Sequence, residues 1–474
     1  MKQFLHVSNR NLVVALHTRG FAIIVPKNSN NEKKCYRTCE LLPPTIVNKN
    51  SSGTEEISIQ AVSSFVKDDE ILYCAVTRSD KQVSIYSIDV TNDDNFPSKV
   101  IPSVVYKTFK RACAVTFAQL PSEKNDTLIV MTGDLTGDVT AFPVPSHKDS
   151  SSSNVSYPQV SRLLLGHTAS MLTSVHVVTQ PDDNGCSMQI LTSDRDEKVR
   201  ISHFPRTYQV EGYLLGHTAF ISSMDVHSTT KICVTSSGDG TVRLWNYQTC
   251  MELASIQFQQ QQQQQQPSED DQLNDDSQKS YKQSDENIII PINVAISSDG
   301  SMISVVQEAV DTVDIYTIET NDEGKLAANT SYNFNKLCSI KCDSQPLATK
   351  FMDDGSLLIL KRNFNFLLHC TYDQSEKKYT IMNDSEITSA LFKLEQEILS
   401  KEGEETKDNN DSLSHISMPM TVLEKDDFGN YKLTKISQRE KNSVQKTMAW
   451  NDPNRIIIAK KASSRRKRKK KESQ

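Results

Sequence analysis

The chain has 474 residues, 37% hydrophobic and 24% charged, with a formal net charge of −6. That balance supports a sizeable core and excludes wholesale disorder, and the length suits several domains or one repeat array. The charge is uneven. Residues 460–471 (KKASSRRKRKKK) hold nine Lys and Arg and no acid, which leaves −15 on the remainder. An acidic body with a basic end is not the footprint of a broad nucleic-acid surface, so any RNA contact is expected to be local or to come through a partner.

Near the N-terminus the apolar run Leu12–Val25 is broken by His17, Arg19 and Gly20. It makes a poor signal peptide and is too short and polar to span a membrane, which points to a soluble intracellular protein. The ten cysteines are Cys35, Cys39, Cys74, Cys113, Cys186, Cys233, Cys250, Cys338, Cys342 and Cys370. They follow no disulfide framework. Cys35/Cys39 and Cys338/Cys342 have three intervening residues, and no His stands at zinc-ligand spacing beside either pair. They read as reduced, mostly buried thiols, with no metal site.

An internal repeat is the main signal. One apolar anchor recurs at the end of a short strand: Val7, Phe65, Phe117, Val177, Val226, Ile296 and Phe351. The gaps between them are 58, 52, 60, 49, 70 and 55 residues. The longest gap contains residues 259–286, a glutamine run (Gln259–Gln266) followed by PSEDDQLNDDSQKSYKQSDE. This low-complexity stretch reads as a solvated loop between repeats. After each anchor comes a polar turn, a second strand, another turn and a third strand. SSDGS (297–301) and DDGS (353–356) supply the first kind of turn, where Asp and Gly tolerate positive φ. SGDGTVRLW (237–245) and SDRDEKVRIS (193–202) supply the second, with weaker copies GDLTGDVTAF (133–142) and RSDKQVSIY (78–86). The alternation in Thr241-Val242-Arg243-Leu244-Trp245 has the period of a strand. The predicted fold is therefore all-β: a seven-bladed WD-repeat β-propeller over 1–383, with a low-complexity inter-blade insertion and a basic C-terminal tail.

Ring closure ordinarily needs a strand from one terminus to complete the sheet begun by the other. Lys2–Val7 and a segment near Tyr431–Ile436 both fit, so residues 384–446 read as an appendage that could supply it. Within that appendage Ile387, Leu391, Leu394 and Ile398 are spaced for one amphipathic helix, packed on the rim or offered to a partner. Lys401–Ser414 is polar. Residues 447–474 form the tail. Its cluster Arg465, Arg466, Lys467, Arg468, Lys469, Lys470 and Lys471 suits nuclear import first, and otherwise RNA-backbone contact or solubilisation. The expected location is the nucleus.

Two repeats carry a fuller pattern. Leu164-Leu165-Gly166-His167 recurs as Leu214-Leu215-Gly216-His217, and the second copy runs on to Asp239 and Trp245. By resemblance to WD repeats, His217, Asp239 and Trp245 belong to a hydrogen-bonded network within one blade, together with a Ser or Thr. The blade of His167 has Ser202 where Trp245 stands, which leaves its network incomplete. A catalytic His–Asp dyad is the competing reading, but neither His lies near a GxSxG nucleophile. TGDLTG (132–137) and SGDG (237–240) precede strands, so they lack the helix N-terminus that holds a phosphate.

Residues 191–226, LTSDRDEKVRISHFPRTYQVEGYLLGHTAFISSMDV, depart from a generic repeat. The turn alternates charge through Asp194, Arg195, Asp196, Glu197, Lys198 and Arg200, and its strand ends in Ser-His-Phe-Pro. The segment SDRDEKVRIS, with the following Gly-His and Phe-Ile-Ser, resembles the WD-repeat non-catalytic subunit of the eukaryotic, fungal-type tRNA (guanine-N7)-methyltransferase complex. The resemblance covers roughly 1–383. It implies a non-enzymatic protein that holds a separate catalytic subunit in an active form, as a heterodimer that methylates a guanosine in the tRNA variable loop. It implies no cofactor here, since S-adenosylmethionine belongs to the catalytic partner. It also implies tRNA contact through the complex and no membrane. Arg200 and Lys198 are the expected partner contacts, then Arg195 and Glu197, because a charged turn on a propeller rim suits complementary docking. Lys198 and Arg200 share a strand face, with Val199 and Ile201 opposite. The bland alternative is an intra-loop ion-pair network of Arg195 with Asp194 or Glu197. The competing function is a nuclear WD-repeat scaffold for ribosome assembly, chromatin or ubiquitin transfer. An enzyme with its own channel site ranks third.

Overall fold

The structure, a computed structural model, describes strands between residues 5 and 41, residues 59–259 and 288–390 apart from short loops, and two strands at 422–425 and 431–434. Seven antiparallel sheets follow one another along the chain. Blade 1 is Leu5–Ser8, Asn11–Ala15, Phe21–Pro26 and Tyr36–Leu41. Blade 2 is Ile59–Lys67, Ile71–Arg78, Gln82–Asp89 and Val104–Lys107. Blade 3 is Ala112–Leu120, Thr127–Asp134, Asp138–Pro143 and Arg162–Gly166. Blade 4 is Leu172–Asp182, Gly185–Asp194, Lys198–Phe204 and Val210–Leu215. Blade 5 is Ile221–His227, Ile232–Ser237, Thr241–Asn246 and Met251–Gln257. Blade 6 is Pro291–Ile296, Met302–Gln307, Thr312–Thr320 and Tyr332–Lys341. Blade 7 is Pro346–Phe351, Leu357–Lys361, Leu367–Asp373 and Lys378–Ile381. The chain is a seven-bladed WD-type propeller, and all seven anchors lie on the first strand of a blade.

Burial explains the composition of each strand. The second strand of blade 5, Ile232–Ser237, is buried at every residue and reads as a continuous run of apolar and small side chains. The fourth, Met251–Gln257, is mostly exposed and alternates weakly. The apolar cores lie between blades. Phe117, Val130 and Phe142 of blade 3 pack with Ala61, Tyr73 and Ile85 of blade 2, and Trp245 and Tyr247 of blade 5 pack with Leu191, Val199 and Ile201 of blade 4. The turns use glycine where the chain must turn left-handed: Gly300 (φ +74), Gly355 (φ +79) and Gly240 (φ +78).

The four antiparallel strands of each blade follow one another along the chain, save that Lys99–Val100, which joins blade 1, falls between the third and fourth strands of blade 2. The first strand of blade 1 pairs with the second, Leu5 with Val14. Tyr431–Thr434 pairs with Val422–Lys425 in a separate hairpin. At the seam between blades 7 and 1, Leu5, Cys39 and Leu41 pack with Ala348, Leu358, Leu360 and Leu367. Blade 1 is further clasped from blade 2. Lys99–Val100 adds a short parallel strand at Glu40 and Leu41, Lys99 pairs with Glu40 at 3.1 Å, and Arg37 lies over the Phe96 ring at 4.4 Å. A helical turn at 386–390 places Ile387, 1% exposed, in the same seam. Among the described residues, then, the predicted helix is packed against the ring; Leu391, Leu394 and Ile398 lie outside them. The insertion leaves and re-enters through a bridge between Gln259 and Ile288. Residues 260–287 and the tail Arg465–Lys471 are also outside the described residues. Among the described residues no helix is long and apolar enough to cross a membrane.

Candidate docking turn on blade 4

The second and third strands of blades 4 and 5 are joined by equivalent turns, since Thr192 pairs with Arg200 as Thr235 pairs with Arg243. In blade 5 the full network forms. His217 Nδ1 lies 3.0 Å from Asp239 Oδ2, and its Nε2 lies 2.7 Å from Thr235 Oγ1. Trp245 Nε1 donates to the same Thr235 hydroxyl at 2.8 Å. Asp239 also accepts from the Thr218 and Thr241 backbone amides. Burial raises its pKa, but hydrogen bonds from His217 and Thr241 outweigh this and hold the carboxyl well below the usual range. The arrangement ties two strands, the turn between them and the loop that leads into the blade, and leaves His217 6% exposed, so it braces the blade.

Blade 4 reaches a similar end differently. His167 Nδ1 lies 2.7 Å from Asp194 Oδ2 and its Nε2 2.7 Å from Thr192 Oγ1. Asp194 stands at the position of Ser237, two residues before the position of Asp239. Its Oδ1 accepts from the amides of Asp196 (2.9 Å) and Lys198 (3.3 Å), and the Lys198 ammonium lies 3.4 Å from Oδ2. Burial raises the Asp194 pKa, yet the His167 hydrogen bond and the Lys198 charge bring it below its ordinary value. Neither reading of the loop foresaw this: the partners of Asp194 are His167 and Lys198, whereas Arg195 is half-buried and bonds Met171 through its backbone amide. Asp194 being occupied, Asp196 and Glu197 point to solvent. Glu197 holds φ +76, the conformation glycine adopts at the matching Gly240. A non-glycine residue there costs about 1–2 kcal/mol.

Lys198 and Arg200 do share the outward face, with Val199 and Ile201 buried. Arg200 is locked. Its Nε donates to Ser202 Oγ at 2.9 Å, Nη1 to the Gly166 carbonyl at 3.1 Å and Nη2 to the Thr207 carbonyl at 3.0 Å. Ser202, small where blade 5 has Trp245, takes one of these bonds. All three acceptors are neutral. The equivalent Arg243 instead meets Glu252 at 2.6 Å. The guanidinium of Arg200 is thus held in a fixed orientation and pairs with no carboxylate among the described residues. Around it lie apolar side chains that the repeat pattern did not single out: Tyr213 opposite Arg200 and Leu215 opposite Lys198 across the fourth strand, with Tyr208 (77% exposed) and Leu163 of blade 3 (62%) nearby in the fold. Of these only Leu215 belongs to the recurring Leu-Leu-Gly-His word, and the pattern alone does not say which Leu faces out. Among the described residues no group of three or more His, Cys, Asp or Glu could hold a metal ion.

Residues 147–349 match the family model for the tRNA methyltransferase TRM82 WD40 domain. The chain is 32% identical over 214 residues to the tRNA (guanine-N(7)-)-methyltransferase non-catalytic subunit TRM82 of Candida glabrata, covering 44% of this chain and 47% of that one. The human protein of that title, WDR4, is 36% identical over 169 residues, 34% of this chain and 35% of its own. TRM82 of Saccharomyces cerevisiae is 24% identical over 331 residues, 68% and 67%. The chain spans about half the length of the Candida glabrata relative and about a third of the human one. The resemblance read from SDRDEKVRIS therefore holds, and it is centred on blades 4 to 6.

Proposed function

We propose that this chain is the non-catalytic subunit of a tRNA (guanine-N7)-methyltransferase, and that it docks its catalytic partner on the outer edge of blade 4. The observation that carries the docking site is Arg200: a rigid guanidinium held by neutral acceptors, bordered by exposed Tyr213 and Leu215, where its blade 5 counterpart is neutralised. A fixed cation in an apolar surround is built for a carboxylate on an apolar partner face. Lys198 adds a second cation, half spent on Asp194, and Glu197 offers a carboxylate at the tip. Arg195 has a lesser part. The chain contributes no reacting group; it raises the population of the partner's active conformation by binding it preferentially. S-adenosylmethionine is bound by the partner, the pair is a heterodimer, and tRNA reaches it as a complex. The tail Arg465–Lys471 suits import to the nucleus.

The test is methylation of unmodified tRNA by the catalytic subunit with and without this chain, and with Arg200→Glu in the co-expressed pair. Loss of the 1:1 complex and of methylation supports the reading. Full activity of the catalytic subunit alone, or an unaffected Arg200→Glu pair, removes it.

A further inference from the structure

One face of the ring carries the turns between second and third strands and the loops that lead into the next blade. These segments are joined edge to edge: Thr108 N donates to Lys81 O (2.8 Å), Leu135 N to Arg111 O (3.2 Å), His167 N to Gly137 O (2.9 Å) and Arg195 N to Met171 O (3.0 Å). The charge along this face is divided. From blade 3 to blade 5 it carries Asp134, Asp138, Asp194, Asp196, Glu197 and Asp239, with Arg195 and Lys198 among them and Lys198 spent on Asp194. Between blades 2 and 3 the sequence Lys107-Thr108-Phe109-Lys110-Arg111 lies beside Lys81. The acid next to Lys81 in the chain, Asp80, is already held by Arg78 at 2.7 Å. Among the described residues Lys81, Lys107 and Lys110 enter no ion pair. Phe109 is 85% exposed, the most exposed large apolar side chain described. It does not stand on a loose tip. Thr108 is buried, and its hydroxyl donates to Lys110 O at 2.6 Å while its amide is tied to Lys81.

We infer that this loop is a binding site for RNA, with Lys81, Lys107 and Lys110 facing phosphates and Phe109 stacking on an unpaired base. Clustered cations with one aromatic face fit a nucleotide strand, because phosphate supplies the charge and every base has a stackable face. An acidic protein fits less well, since protein interfaces centre on contiguous apolar anchors and Phe109 has no exposed large apolar neighbour in these loops among the described residues. The site is an island of positive charge on an acidic body, a local contact of the kind its charge distribution permits. It extends the function proposed above, with tRNA as the RNA, but RNA binding by this chain alone requires no partner.

The experiment is fluorescence anisotropy of a labelled, unmodified tRNA transcript with the full chain at 50–200 mM salt, with the natural tail and with Arg465–Lys471 replaced by alanine. The tail-replaced chain should still bind. The Lys107→Glu/Lys110→Glu double variant should bind about tenfold or more weakly and flatten the salt dependence by about two units of slope. Phe109→Ala should weaken binding about fivefold or more with the slope unchanged. All three side chains are exposed, so melting temperatures should stay level. Failure of the tail-replaced chain to bind, or unchanged affinity in both variants, overturns the site. So does loss of the catalytic subunit from the variants with RNA affinity intact, which would make the loop a protein contact. Failure of methylation with RNA affinity intact would instead count against the subunit reading alone.

Discussion

Blades 4 and 5 begin from the same Leu-Leu-Gly-His words and spend them differently. Blade 5 closes its histidine network on Trp245 and neutralises Arg243 with Glu252. Blade 4 moves the histidine's carboxylate two residues earlier to Asp194, gives up the tryptophan for Ser202, and uses the space to anchor a cation that pairs with no carboxylate among the described residues. The contrast teaches that the first is organised for stability and the second keeps stability while exposing charge. A repeat protein can specialise one unit in this way because each blade contacts only its neighbours.

That contrast can be broken at several points. Trp245→Ala should have the largest effect, a loss of about 3–5 kcal/mol, since Trp245 is 1% exposed and packs between two blades. Urea unfolding followed by far-UV circular dichroism measures it, and a loss below about 1 kcal/mol would mean that blade 5 does not carry the brace. Asp194→Ala should cost about 2–3 kcal/mol by leaving His167 buried without its acceptor. It should also loosen Lys198, which co-purification of the complex would register. Acid should attack both blades together. Asp194 and Asp239 have depressed pKa values in the folded state, so their contribution is complete above the unfolded value near 3.9 and is lost as pH falls through the folded ones. Unfolding free energy should fall steeply below about pH 4. Asp239→Asn, less stable at neutral pH, should show the shallower dependence there. Arg200→Glu should weaken the complex tenfold or more, about 1.4 kcal/mol, whereas Arg243→Glu should leave complex formation unchanged in the same titration. Equal losses would erase the distinction between the blades. The smallest effect should come from Glu197→Gly, a gain of about 0.5–1 kcal/mol as the left-handed strain is relieved. Calorimetric melting would show it, together with a slight weakening of partner binding.

The seven anchors, the strand periodicity and the turn glycines were legible because they are local. A blade's first strand must be apolar on the face it buries, and a tight turn must tolerate positive φ, whatever lies elsewhere in the chain. His217, Asp239 and Trp245 were legible for the same reason, as parts of a recurring word. Thr235 was not, because one threonine among many is marked only by where the sheet puts it. The engagement of Arg200 was also hidden. Its three acceptors come from Gly166, Ser202 and Thr207, and two are backbone carbonyls with no sequence identity to recognise.

The sequence by itself determined the architecture, the number of blades and the unusual charge between Asp194 and Arg200. Only the tertiary structure decided which of those charges are spent. It made Asp194 a buried acceptor, left Arg200 oriented with no carboxylate partner among the described residues, and closed the ring's last seam by packing Leu5, Leu41 and Ile387 against blade 7. It also decided the face of each leucine. Leu165 pairs with Val139 and is buried, while Leu215 pairs with Lys198 and is exposed. The two fourth strands differ in register by one residue, and with a side-chain period of two that slip turns the same word from core to surface.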